Sequence, residues 1–196
     1  MSSLPKSYLT PEQYLEIERK AEFKSEYYQG EMYAMSGGRH AHNRLAFNLI
    51  GLIGAQIRHG SCQGYTSDMR VHIPSTGLYT YPDVTVVCGE PQFADDTRDT
   101  LLNPNLVVEV LSPSTEAYDR GRKFEHYRSV ASVNEYLLVS SDRVSAELFT
   151  RQEGDGWLLT AAGRLEDSLE LKTIGCRIVL ADVYEKVELQ ADTLIP

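Results

Sequence analysis

One acidic residue interrupts an apolar run in this chain: Glu109, in LVVEVL (residues 106–111). If the run is a strand, alternation puts Val107, Glu109 and Leu111 on one face and Leu106, Val108 and Val110 on the other. An ionised carboxylate taken out of water costs several kcal/mol unless it is paired, hydrogen-bonded or metal-bound. Two kinds of partner are available. Asp83 follows Pro82 in YPDVTVV, and proline suits the first position of a strand; Asp83, Thr85 and Val87 then share a face. Two carboxylates on neighbouring strands would present hard oxygens, which magnesium takes together with waters and phosphate oxygens. Farther on, Asp119, Lys123, His126 and Tyr127 recur at three and four, one side of a helix. An ammonium at Lys123 beside such an ion would orient or help deprotonate an attacking water and offset charge in a phosphoryl transition state.

Each residue also has an ordinary use. A lone strand glutamate is most often a paired or sheet-edge residue, and an aspartate after proline is common in turns. Helix lysines are mostly solvated, and a pair with Asp119 at i, i+4 adds only about 0.3–0.5 kcal/mol. Phe124, Tyr127 and Trp157 are most simply packing residues. His40 and His42 form an H-x-H spacing, but lone histidines more often make structural hydrogen bonds than hold zinc. Asp68 and Arg70 are accounted for equally well by a mutual or cross-strand pair. What lifts Glu109 above its ordinary reading is its coincidence with Asp83 and a helix lysine.

The elements that must position these groups follow from pattern and punctuation. Thr10, Pro11 and Gln13 make a capping box, so a short helix runs to about Lys20. FKSEYYQGEMYAMSGG reads as two short strands turning at Gln29 and Gly30. Leu45, Leu49, Leu52 and Ile53 carry the helical period through about His40 to Ile57. Gly51 and Gly54 weaken that helix by roughly 1 kcal/mol each, which predicts close packing there against a sheet or a partner chain. Two strands follow, SDMRVHIP and YPDVTVVCG, separated by a loop with Gly77, and then the connection EPQFADDTRDTLLNPN. Beyond LVVEVL a helix begins at Ser114 or Thr115 with Glu116 in its first turn. NEYLLVSSD is a central strand. A hairpin turning at Glu153 to Gly156, further short strands and a terminal helix near LADVYEKVEL complete the chain. The order predicts a mixed sheet flanked by helices, in one domain over residues 1–196.

The formal net charge of −9 counts against a partner held by long-range attraction to phosphate, though an ion-assisted enzyme is compatible with it. No run approaches the roughly 18 apolar residues of a membrane span, and MSSLPKSYLT lacks the features of an export signal. A cytoplasmic protein is expected. Cys62, Cys88 and Cys176 are odd in number and lack C-x-x-C spacing, which predicts reduced thiols.

A PD dipeptide on one strand, a glutamate on the next and a nearby lysine resemble the PD-(D/E)XK nuclease superfamily. More closely, YQGEMYAMSG, RHAHNRLAFNLIGLI, YPDVTVV, LVVEVLSPST, DRGRKFEHYR and VNEYLLV, in this order, resemble the Uma-two family of predicted endonucleases, from about Pro11 to Leu189. The resemblance implies a restriction-endonuclease-like α/β (α+β) fold with additional antiparallel hairpins. It also implies Mg2+ or Mn2+ on Asp83 and Glu109, DNA as substrate and a homodimer. Position 111 is leucine where the superfamily motif has lysine, and the resemblance transfers that role to Lys123. Glu26 and Glu31 match the pattern around GE, with Glu31 the secondary site candidate beside His42 and Tyr127. His42 would contact phosphate or orient a carboxylate. Where the family strand after the lysine helix often ends in aspartate, this chain has Ser140 and Ser141. The rival expectations are a non-catalytic module of the same fold, with Glu109 neutralised internally, and a metal-dependent hydrolase of a smaller phosphate ester.

Overall fold

A computed structural model describes residues 8–154 and 156–189. Most of the stretch read for an export signal, and Asp155 in the predicted hairpin turn, lie outside the described residues. Helix α1 (Pro11–Glu18) opens with the expected reciprocal cap between Thr10 and Gln13. Strands β1 (Ser25–Tyr28) and β2 (Glu31–Ala34) turn at Gln29 and Gly30, both at positive φ, as a twist-matched two-residue hairpin requires. Helix α2 spans His40–Ile57. There follow β3 (Cys62–Thr66), β4 (Arg70–Ile73), β5 (Leu78–Thr80), β6 (Val84–Cys88), β7 (Thr100–Leu101) and β8 (Leu106–Leu111). The expected single helix after β8 is three joined pieces: α3 (Glu116–Tyr118), a π-helical turn (Asp119–Lys123) and α4 (Phe124–Arg128). The chain then forms β9 (Glu135–Ser140), the hairpin β10 (Ala146–Arg151) and β11 (Trp157–Ala162), β12 (Ser168–Leu171), β13 (Cys176–Val179) and a four-residue α5 (Leu180–Val183).

Two mixed sheets organise these elements. One has the order β2-β1-β5-β4-β7, the other β11-β10-β9-β8-β6-β3, and β12 pairs with β13 separately. In the six-stranded sheet β8 and β9 are the parallel pair, so a crossover must join them, and that crossover is the helical stretch carrying Lys123. All six residues of β8 are buried. Its five apolar side chains each contribute about 1.5–3 kcal/mol on burial, enough to offset the several kcal/mol that one buried carboxylate costs. One apolar core lies between the sheet and α2, around Leu45, Leu49, Val86, Val108 and Val110. The opposite face packs Val107, Leu111, Phe124, Tyr127 and Tyr136 together. The alternation expected along LVVEVL is therefore the division between two cores.

Several expectations are corrected. Cys62 and Cys88, expected as thiols, are joined as a disulfide, because the register of β3 on β6 sets them directly opposite each other; Cys176 is free and buried. Gly51 and Gly54 approach nothing: a Cβ built on either meets no atom within 4 Å, so neither serves close packing within the chain. The long connection after β6 is not plain loop, since it contributes β7 beside β4. No helix among the described residues is long and apolar enough to cross a membrane.

Candidate active site

The ladder ends with Val84 opposite Val108, which sets Asp83, one residue before β6, beside Glu109 and near enough for its charge to act on that carboxyl. One oxygen of Asp83 is committed: Oδ2 accepts the Val110 N–H at 2.7 Å and lies 3.3 Å from Nε2 of His42, in the first turn of α2. Glu109 is tied in the same one-sided way. Its Oε1 lies 3.0 Å from the Lys123 ammonium and accepts the Tyr127 hydroxyl at 3.2 Å. Asp83 Oδ1 and Glu109 Oε2 have no hydrogen-bond partner among the described residues. Two carboxylates of this kind suit magnesium, which takes one or two carboxylates and completes its shell with water and substrate oxygens. No group of three or more His, Cys, Asp or Glu among the described residues is arranged to hold a metal ion, so an ion at this pair would need water or substrate oxygens to complete its shell.

Lys123 is the centre of the cluster. Besides Glu109, its ammonium lies 3.2 Å from Oε1 of Glu26 on β1 and 3.5 Å from Oδ1 of Asp119. Glu26 is held in turn by the Thr80 hydroxyl. Asp119 and Lys123 begin and end the π turn, a wider turn than an α-helix makes and one frequent at functional sites. Tyr136 anchors this turn by donating its hydroxyl to the Asp119 carbonyl at 3.0 Å. Glu109, Asp119 and Lys123 are at most 5% exposed.

The electrostatics follow from burial and an excess of carboxylates. Burial raises the Glu109 pKa well above the ordinary value; Asp119 and Asp83 add to this while Lys123 opposes it. Asp119 is also raised, chiefly by burial against the pull of Lys123. For Lys123 burial disfavours the ammonium, but Glu109, Glu26, Tyr127 and Asp119 together hold its pKa well above the lysine range. Burial likewise disfavours a charged His42, and Asp83 outweighs it to raise that pKa. Lys123 is thus a permanent cation among carboxylates that outnumber it.

The structure brings together Asp83, Glu109, Lys123, His42 and Tyr127. Tyr127, read most simply as packing, also directs its hydroxyl at Glu109. Glu31 is not in the cluster: it pairs with Tyr28 at the far end of the β1–β2 register and accepts the Tyr33 hydroxyl at 3.4 Å. The glutamate that reaches Lys123 is Glu26, which stands opposite Tyr33. The register puts Glu26 and Glu31 on the same face of the hairpin, so alternation does not separate them, and nothing in the sequence says that β1 pairs with β5 and so lies over Lys123. Asp119 stood on the lysine's face at i, i+4 and was legible as its partner. Asp68 and Arg70 do not pair with each other: Asp68 meets Lys24, and Arg70 is buried against Asp99, Thr100 and Tyr81. His126 packs edge-on against Tyr28.

Comparison with known proteins bears on this arrangement. Residues 11–181 match the family model Uma2, described as "Putative restriction endonuclease". Two proteins of Synechocystis sp. (strain ATCC 27184 / PCC 6803 / Kazusa), both described as uncharacterized, are similar. One is 40% identical over 182 residues, covering 93% of this chain and 94% of its own. The other is 39% identical over 152 residues, covering 78% and 86%. A crystal structure described as "a putative nuclease belonging to DUF820", from Anabaena variabilis ATCC 29413, superposes with a TM-score of 0.70 at 13% identity, covering 88% of this chain and 96% of that one. At that identity the likeness is one of fold.

Proposed function

The chain belongs to the Uma2 family of restriction-endonuclease-like proteins, and on that footing we propose that it is a divalent-metal-dependent endonuclease hydrolysing phosphodiester bonds in DNA. The observation that carries this reading is the pair of half-committed carboxylates. Asp83, just before β6, lies beside Glu109 on the neighbouring β8, each with one oxygen tied to the protein and the other without a hydrogen-bond partner among the described residues. They would hold Mg2+ or Mn2+. When bound, such an ion polarises a phosphoryl oxygen and offsets charge as the ester bond breaks.

The protein's own groups set up that chemistry. The Val110 N–H and His42 fix the direction of Asp83, and Tyr127 and Lys123 fix that of Glu109. Held protonated by its neighbours, Lys123 does not abstract a proton from water. It orients an oxygen nucleophile or steadies negative charge on the phosphate. Glu26 and Asp119 keep it charged and in place. Carboxylates outnumber Lys123, and the crowding that raises the Glu109 and Asp119 pKa values would be relieved by a cation, so the cluster would take up a cation first and a phosphate only through it. That order reconciles a polyanionic substrate with a net charge of −9.

A second reading has one observation in its favour. Lys123 is already surrounded by Glu26, Glu109 and Asp119, an internally neutralised arrangement that a non-catalytic member of the fold would also have. Supercoiled plasmid incubated with the protein and Mg2+ or Mn2+ separates the two. Nicking by the wild type that is lost in Asp83→Ala and in Glu109→Gln supports the endonuclease. Absence of nicking with either ion, or equal nicking by the variants, overturns it. Turnover of a chromogenic phosphodiester without nicking assigns the site to a smaller ester.

A further inference from the structure

We propose that this protein forms a homodimer through strand β11, which pairs antiparallel with the same strand of a second copy across a twofold axis at Leu159. The inference does not depend on the nuclease reading. Strand β11 is the outer strand of the six-stranded sheet. The side of the strand that lacks a neighbour follows from the ladder. Arg151 gives its N–H to the Asn134 carbonyl on the β9 side, and alternation then turns Thr150, Leu148 and Ala146 toward Leu158, Thr160 and Ala162. Trp157, Leu159 and Ala161 therefore aim their N–H and C=O groups away from β10. Among the described residues nothing takes these groups up.

The side chains tell against plain solvent exposure. The sequence WLLTAA carries no charge and no proline, the usual means of keeping an edge from pairing. Leu158 and Leu159 point to opposite faces and are 54% and 49% exposed, so apolar surface flanks the open backbone on both sides. At the other edge of the sheet, β3 is CQGYT, closed onto β6 by the disulfide and without a large exposed apolar side chain.

The strand is complementary to itself. Outward-facing residues must meet as hydrogen-bonded pairs, which sets Leu159 opposite Leu159 on the axis and Trp157 opposite Ala161 at each end. Leu158 then faces Thr160, so each large side chain off the axis meets a smaller one. With no charge in the strand, self-pairing opposes no like charges. The contact is isologous and closes at two chains.

The full chain is examined by sedimentation over a concentration series as wild type, Leu159→Lys and Leu159→Glu, with circular dichroism as the check on folding. The wild type is expected as a dimer. Each charged variant puts like charges face to face on the axis and raises the dissociation constant by about 100-fold or more. An equimolar mixture of the two variants restores the dimer, because lysine then faces glutamate. A monomeric wild type overturns the proposal. So does a Leu159→Lys chain that stays dimeric, which would place the interface elsewhere, or a mixture that stays monomeric while both variants are folded.

Discussion

The ammonium of Lys123 lies 3.0 Å from Oε1 of Glu109, one from the buried side of a helical stretch and one from a fully buried strand, and both side chains are buried. Lys123 also balances Glu26 and Asp119, so removing its charge strands several carboxylates at once.

Replacing Lys123 with alanine is expected to destabilise the protein by about 3–5 kcal/mol at neutral pH, because it leaves buried carboxylates unpaired. The loss should depend on pH. Glu109 already has a raised pKa, and without Lys123 it rises further. A carboxyl raised in the folded state favours folding below its unfolded pKa and loses that contribution as pH rises through the folded value. Urea denaturation should therefore show a smaller deficit at pH 5 than at pH 8; an equal deficit at both would exclude Glu109 as the stranded charge.

Glu26 and Glu31 should separate sharply. Glu26→Gln removes a charge that holds Lys123 and is expected to lower nicking by about 10–100-fold, the usual effect of losing a group that orients a catalytic one. Glu31→Gln should stay within about twofold of wild type, since Glu31 stands at the turn end of the hairpin and the carboxylates that meet Lys123 are Glu26, Glu109 and Asp119. Equal effects of the two would contradict this placement of Glu26.

Asp99 offers a test at acid pH. Arg19 grips both of its oxygens, at 2.8 and 3.1 Å, and this is the chief reason its pKa is lowered to about 2. A carboxylate lowered in the folded state contributes fully above its unfolded pKa, near 3.9, and loses that contribution as pH falls through the folded value. Asp99→Asn should melt below the wild type at pH 6, by no more than the modest amount a partly exposed pair supplies. The two melting temperatures should converge near pH 2, and an undiminished gap there would rule out this origin.

The Cys62–Cys88 bond makes a prediction that needs no activity. Under oxidising conditions the denatured chain should titrate as one thiol, Cys176, and as three after reduction. Closing a loop across 26 residues stabilises by about 3 kcal/mol in the chain-entropy picture, so Cys62→Ser with Cys88→Ser should lower the urea midpoint accordingly. Three thiols before reduction would show that the bond does not form in the isolated protein.

Local rules were enough to read much of this molecule from its sequence. The Thr10–Gln13 cap, the Gln29–Gly30 turn, the bounds of α2 and the alternation about Glu109 all depend on neighbours a few residues away, where backbone sterics and side-chain period decide. The juxtaposition of Asp83 with Glu109 was legible for the same reason, two strand patterns each with one carboxylate out of place. What the tertiary structure decided is which distant residues meet. Pairing of β1 with β5 brings Glu26 to Lys123 and leaves Glu31 outside. The register of β3 on β6 sets Cys62 against Cys88. A π turn, whose extra width depends on packing and on the hydroxyl of Tyr136, places Lys123 on Glu109 in spite of Leu111. Each of these rests on strand order and register, which are set by burial summed over the whole sheet and by no single stretch of the chain.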